Sequence, residues 1–315
     1  MAMRALRLPG DLLPIGDMLK ETFHYPDHPE WSFRDDETQE TLRMIRSVHR
    51  LWPLLRFFSL LSPPLRDVFR GFVWEEDGRI GAAVILAREG GTPSWGVGMV
   101  GVLPEYRRRG LARRLLERSL EYLRERKADK TTLGVIDRNV PAYSLYTSLG
   151  FEHYSGMAEY ELTPADVPPV PAFPPGYASE PVKLGKSWRV LYDLDKRITP
   201  GELEKYEPVE IGRYRAPLLM RAFLPIMRLM RRRDQKVLVL REVRSGKIVA
   251  IAMTTIPKRE GGVCNLRIRL DPAHGDLADY LVSSQLKYFA VDGGGRRVDF
   301  MVPRWMPALA ASAER

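Results

Sequence analysis

Apolar residues along the chain follow two spacings that take turns. Short alternating or β-branched runs mark strands at Met3–Leu8, Phe72–Trp74, Ile80–Leu86, Gly98–Val102 and Thr132–Ile136. Between them, spacings of three and four mark amphipathic helices. One covers Asp11–Phe23 through Leu12, Ile15, Met18 and Leu19, and one covers Glu40–Leu61 with a break expected at Pro53. Another starts at Leu111 and continues through Leu115, Leu116, Leu120 and Leu123; a fourth carries Ala142, Leu145, Tyr146 and Leu149. Asp77-Gly78 between two strand runs is a hairpin signal. Strands interleaved with helices place the chain in the α/β (α+β) class.

One junction in this pattern has the makings of an anion site. The run Gly98–Val102 is stopped by Leu103-Pro104, because proline cannot donate to a ladder. Arg107-Arg108-Arg109-Gly110 then leads into the helix of Leu111 and Ala112. The first N–H groups of a helix have no partner within it and carry the positive end of its dipole, so backbone donors there can hold a pyrophosphate. Gly110 allows close approach, and the three guanidinium groups add charge that a phosphate would feel. Arginines in a turn are otherwise simply solvated; the order of strand, proline, turn and helix favours the anion site.

Downstream, Asp137-Arg138-Asn139-Val140-Pro141 starts the next helix, which stops at Gly150-Phe151, and Tyr154–Leu162 then offers one or two strands to close the sheet. With both segments in view, the chain resembles the GCN5-related N-acetyltransferase (GNAT) superfamily. The first signature stands at Val102, Pro104, Arg107, Gly110 and Ala112, and the second at Asn139, Ala142, Leu145, Tyr146, Gly150 and Phe151. Arg108 departs from the pattern, since glycine is frequent there. The resemblance implies a mixed central sheet flanked by helices and acetyl-coenzyme A as acyl donor. Its pantetheine arm is expected between the strands ending at Val102 and Ile136, bonded by N–H groups near Val100 and Val102. Its diphosphate is expected on Arg107, Arg108, Arg109, Gly110, Leu111 and Ala112. Tyr146 is expected to protonate the departing thiolate, although spacing alone would make it a packed aromatic. Asn139 either bonds the cofactor arm or caps its helix.

Composition narrows the partners only slightly. The 44% apolar and 28% charged content fits a folded soluble protein, and the net charge of +9 favours anionic ligands in general. Basic residues are spread along the chain, which argues against nucleic-acid binding. Cys264 is the single cysteine, no apolar run of membrane-spanning length occurs, and the first residues lack a signal-peptide core. A cytoplasmic protein is expected. His24 and His28 beside Asp27 lack further ligands at a recognised spacing, so no metal is expected, and this loop could instead lie over the acceptor cleft.

With 315 residues the chain fits two domains, and it repeats itself. Gly78-Arg79-Ile80 is answered by Gly246-Lys247-Ile248 (246 − 78 = 168) and Leu103-Pro104 by Asp271-Pro272. Ala112, Leu115, Leu120 and Tyr122 are answered by Ala278, Leu281, Leu286 and Tyr288, and Pro141-Ala142 by Pro307-Ala308. A steady offset argues for two copies of one fold. The second copy replaces the arginine turn by Ala273-His274-Gly275-Asp276, where a carboxylate would serve the helix dipole and repel a pyrophosphate, and it has Trp305 where the first has Asn139. The expected division is residues 1–162 as the acetyl-coenzyme A domain, 163–176 as a connector with six prolines in residues 163–175, and 177–315 as a degenerate GNAT-like copy. That copy ends before any closing strands, so its sheet edge needs a cover, from the connector or a partner.

An N-acyltransferase acting on an amine of a small molecule or peptide is the leading expectation. A non-catalytic acyl-coenzyme A sensor or scaffold is the alternative. No single general base stands out among His24, His28, Glu75, Glu76, His153 and Glu159. The Arg-studded apolar segments Leu51–Leu65 and Ala216–Met227 are helices packed in the protein, the lining of a cleft for a bulky apolar group, or a membrane-surface contact.

Overall fold

A computed structural model of the chain describes residues 2–61, 69–89, 92–164, 169–181, 187–215, 233–258 and 262–315. The segment Ala216–Met227 lies outside the described residues, and so does the end of Leu51–Leu65. The chain divides into two compact units, with the first break after Glu152.

The first unit runs β1 (Ala2–Ala5), α1 (Leu12–Thr22), α2 (Asp35–Leu61), β2 (Arg70–Glu76), β3 (Arg79–Arg88), β4 (Trp95–Val102), α3 (Leu111–Glu125), β5 (Thr131–Leu133) and α4 (Val140–Ser148). Its five strands lie in the order β1-β2-β3-β4-β5. All neighbours are antiparallel except β4 and β5. The β2–β3 turn has positive φ at both Asp77 and Gly78, which matches the right-handed strand twist. Alternate residues of β2 and β3 point to opposite faces, and both faces are covered. Phe72, Ala82, Val84 and Leu86 pack under α3 with Leu111, Leu115, Leu116 and Leu123. Val73 and Ala83 pack under α1 with Ile15 and Met18. Each of these buried leucines contributes roughly 1.5–3 kcal/mol by leaving water.

Helix α2 begins earlier than its apolar spacing suggests. Asp35, Asp36 and Glu37 occupy its first turn, where acidic groups complement the dipole, and the Glu37 carboxylate accepts from the Arg34 N–H at 3.1 Å. Instead of breaking at Pro53, it continues through that residue to Leu61.

The second unit contains β6 (Met157–Leu162), β7 (Tyr177–Pro181), α5 (Ser187–Ile198), the short helices α6 (Gly201–Glu204) and α7 (Ile211–Tyr214), β8 (Arg233–Glu242), β9 (Ile248–Pro257), β10 (Cys264–Leu270), α8 (Ala278–Asp292), β11 (Val298–Pro303) and α9 (Pro307–Glu314). Its sheet reads β7-β8-β9-β10-β11-β6. Strands β7 to β11 repeat the order and directions of β1 to β5, including the single parallel pair, here β10 with β11. Helices α3 and α8 are both 15 residues long and follow the matching strands. Phe300 on β11 is wholly buried. Phe300→Ala is expected to cost about 3–5 kcal/mol in chemical denaturation of the second unit, the usual price of emptying a core aromatic site.

The strand after Phe151 is placed differently from expectation. Residues 157–162 do not close the first sheet; β6 lies antiparallel on β11, pairing Met157 with Pro303 through to Leu162 with Val298. The boundary expected at residue 162 therefore falls ten residues early in the compact division, after Glu152. The edge expected to need a cover is covered by this strand rather than by the connector or a partner.

Candidate active site

The site is built where β4 and β5 part. They pair only from Trp95–Thr131 to Val97–Leu133. On the other side, β3 meets β4 with a register shift: Ile85 faces Met99 and Leu86 faces Val97, so Gly98 is the extra residue of a bulge. The bulge bends β4 away from its parallel partner. That is why β5 stops at Leu133 although the β-type run continues to Ile136; residues 134–136 have no ladder to join.

Which β4 amides face the gap follows from the ladder. The Leu103 N–H donates to the Gly81 oxygen at 2.9 Å, so Val102 and Ala82 form a non-hydrogen-bonded pair. In an antiparallel pair this alternation aims the N–H groups of Leu103, Gly101 and Met99 at β3, and those of Val102 and Val100 at the opposite edge. These two amides therefore line the opening. Their side chains pack against the core beneath α3, as do Leu133, Leu145 and Tyr146.

The turn after β4 is where the sequence predicts an anion site. A short helical turn, Pro104–Tyr106, precedes Arg107, whose N–H donates to the Pro104 oxygen at 3.1 Å. Gly110 caps α3 with φ +72°, a left-handed conformation that a side chain disfavours. The first bond into α3 runs from the Arg114 N–H to the Gly110 oxygen at 3.1 Å. Among the described residues nothing accepts from the N–H groups of Arg108, Arg109, Gly110, Leu111, Ala112 or Arg113. Leu111 is buried and Ala112 half-buried, so what they offer a ligand is backbone.

The three arginines do not act alike. Arg107 is half-buried; its Nη2 donates to the Thr22 oxygen at 2.9 Å and its Nε to the Val102 oxygen at 3.3 Å. Its guanidinium, expected on a phosphate, is thus committed to two protein carbonyls. Arg108 is exposed and has φ +63°, so the departure from glycine noted in the sequence falls on a left-handed residue. Arg109 lies 3.7 Å from the Glu76 carboxylate and covers the Tyr106 ring at 5.0 Å. Arg108→Gly is expected to raise stability by about 0.5 kcal/mol, the left-handed strain relieved less the greater chain entropy of glycine. Thermal unfolding of the two proteins checks this.

Tyr146 sits on α4, its ring edge-on to Phe151 at 6.1 Å. Burial, and then the electrostatic influence of Tyr25, raises its hydroxyl above the ordinary tyrosine range. Asn139 caps α4, its Oδ1 accepting from the Ala142 N–H at 3.2 Å. This is the capping role; the amide NH2 retains its donors.

The candidate bases are dispersed. Glu75 is paired with Arg4 at 2.5 Å, and His28 stacks on Trp31 at 3.8 Å with its Nδ1 3.3 Å from Glu30. Glu76 is 12% exposed beside Arg109. Glu159 is on β6 opposite Met301, and both it and His153 belong to the second unit. His24 lies in a depression with Lys20, Glu21, Pro26, Pro104 and Arg107. Spacing gave no sign of Thr22 and Tyr25, which meet the guanidinium of Arg107.

In the second unit the matching turn is filled by its own residues. Pro272–Leu277 is a 3-10 segment kinked at His274; Asp271 caps it, accepting from the Ala273 N–H at 3.1 Å, and His274 Nδ1 is 2.8 Å from the Tyr177 hydroxyl. The N-cap position of helix α8 itself is Leu277, which offers no capping side chain, with Asp276 next to it in the chain.

Comparison with known proteins agrees with this geometry. Residues 21–151 match the acetyltransferase (GNAT) family. The chain is 31% identical over 120 residues to N-alpha-acetyltransferase 30 of Schizosaccharomyces pombe, covering 34% of this chain and 80% of that protein. It is 36% identical over 96 residues to the mycothiol acetyltransferase of Thermobifida fusca, covering 30% of this chain and only 28% of that protein. Among solved structures, a tandem GNAT protein from the clavulanic acid biosynthesis pathway superposes with TM-score 0.61 at 18% identity, over 99% of this chain and 94% of the other. A GCN5-related N-acetyltransferase from Sphaerobacter thermophilus gives 0.59 at 17% identity, over 96% and 86%. With the signature residues gathered around one opened strand pair, and a fold repeated in tandem, the chain belongs to the GNAT family of acetyltransferases.

Proposed function

We propose that the first unit is an acetyl-coenzyme A-dependent N-acyltransferase acting by direct attack of an acceptor amine. The observation that carries this reading is the opened edge of β4, whose Val100 and Val102 amides continue into the unpaired N–H groups at the start of α3. An extended thioester with a diphosphate at one end suits that row of donors. The Val100 and Val102 N–H groups would polarise the thioester carbonyl, where charge builds as the amine adds. The C–N bond forms, the C–S bond breaks, and the Tyr146 hydroxyl gives its proton to the leaving sulfur. The proton shed by the amine leaves to solvent, and solvent returns one to the Tyr146 phenolate.

Both named relatives are acetyltransferases, which supports an acetyl donor, and their names differ in acceptor. The acceptor here is an amine of a small molecule or peptide. The second unit, its turn closed by Asp271, His274 and Tyr177, does not take the cofactor in the same way. Calorimetry with coenzyme A is expected to give one site per chain; two sites would refute the degenerate second copy, and none would refute the whole reading. Thiol release from acetyl-coenzyme A across an amine panel tests catalysis. Tight binding with no turnover for any amine would favour an acyl-coenzyme A sensor instead.

A further inference from the structure

The residues between α1 and α2 form a closed aromatic loop. The Phe33 N–H donates to the Phe23 oxygen at 3.1 Å, and the two rings stack at 4.4 Å. The Tyr25 N–H donates to the Ser32 Oγ at 2.8 Å, and the Tyr25 ring meets Trp31 edge-on at 5.8 Å. Trp31 in turn carries His28. The loop is thus internally fastened at several levels. Among the described residues, one side chain ties it to the strand system: the Arg107 guanidinium covers the Tyr25 ring at 4.6 Å while bonding the Thr22 oxygen, where the loop begins, and the Val102 oxygen, where β4 ends.

We infer that Arg107 is a positioning residue that latches the Phe23–Phe33 loop onto the end of β4, and that its side chain is not a phosphate ligand. The physical case is one of commitment. A guanidinium has donors in a fixed fork, and this one spends donors on two carbonyls from different elements while its face covers an aromatic ring. Turning it toward a phosphate would strip all three partners at once. Its main chain, by contrast, precedes Arg108 immediately, so the residue joins the anion-binding turn to the loop without lending its charge to the ligand. Thr22 is packed from the other side as well: it is buried, and its Cγ2 lies 3.0 Å from where a side chain at Gly101 of β4 would start, so even a methyl group there would need Thr22 and Met18 to shift by a few tenths of an ångström. This inference rests on the proposed reading of the opened β4 edge as the cofactor site.

The test uses the full chain and two readouts, coenzyme A affinity by calorimetry and amide hydrogen exchange across residues 23–33. For Arg107→Ala, exchange in the loop is expected to rise about ten-fold or more, the loss of charge-assisted bonds and a cation–ring contact, with coenzyme A affinity changed by less than about three-fold. Arg109→Ala is expected to do the reverse. Arg107→Lys, with one point donor in place of a fork, should leave loop exchange between wild type and alanine. If Arg107→Ala weakens coenzyme A binding as much as Arg109→Ala while loop exchange stays put, the latch is wrong. Should Arg107→Ala fail to fold, Tyr25→Ala removes the ring that the guanidinium covers, together with its edge contact to Trp31, and must still raise loop exchange; unchanged exchange there overturns the inference too. Wild-type protein that does not bind coenzyme A would refute the cofactor site, yet the exchange measurements would still decide whether Arg107 holds the loop.

Discussion

Replacing Tyr146 by phenylalanine is expected to slow amine-dependent thiol release from acetyl-coenzyme A by about 100-fold while leaving coenzyme A affinity within experimental error. The substitution removes one hydroxyl and keeps the ring, so the contacts with Phe151 and the core under α3 survive. A proton donor to a leaving thiolate must be protonated when the C–S bond breaks. Activity that depends on it therefore falls as pH rises through its pKa. Because burial and Tyr25 hold this hydroxyl above the ordinary tyrosine value, the fall belongs at higher pH than for a free tyrosine. Rate profiles of the two proteins check this: the alkaline limb should be present in wild type and absent in Tyr146→Phe. Equal rates at neutral pH would remove Tyr146 from the chemistry.

The second large effect is expected at Gly110. Gly110→Asp should weaken coenzyme A binding by roughly 100-fold or more. A side chain in the left-handed conformation of Gly110 should also cost about 1 kcal/mol of stability, which thermal unfolding measures separately. What changes is the sign of the charge at the mouth of the anion site. At about 4 Å and a surface-like dielectric, two like charges repel by about 4 kcal/mol, and even half of that is more than a ten-fold loss. Calorimetry at two salt concentrations separates the effects: added salt should narrow the gap between wild type and variant. An unchanged dissociation constant would mean that no diphosphate rests at this helix end.

Much of this architecture is legible in the chain itself. The hairpin of β2 and β3 follows from Asp77-Gly78 between apolar runs, and α3 from leucines spaced at three and four. The repeat is visible as an offset of 166 to 168 residues and returns as two sheets that share the order of five strands. Both are local signals: a turn dipeptide acts through its own φ and ψ, and a helix face through spacing on one element. The limits of β5 and α2 were less legible. The end of β5 depends on a bulge at Gly98 in another strand, and α2 begins at a run of acidic residues that apolar periodicity does not register.

The candidate site divides in the same way. Gly110, Asn139 and Tyr146 occupy positions that their sequence neighbourhoods suggest, because each acts at a helix terminus or on a helix face. Arg107 could not be told from Arg108 and Arg109, since three adjacent arginines look alike until their directions are known.

Fold class, tandem repeat and the stretch where a cofactor turn is expected are all readable along the chain, because they depend on residue type and spacing within short segments. That β6 joins the second sheet, that Val100 and Val102 aim their amides into the opening, and that the Arg107 guanidinium bonds the Thr22 and Val102 oxygens emerge only once the elements are assembled. Strand pairing and side-chain direction are settled between segments distant in sequence, by which unpaired backbone groups lie within reach, and no local pattern encodes that.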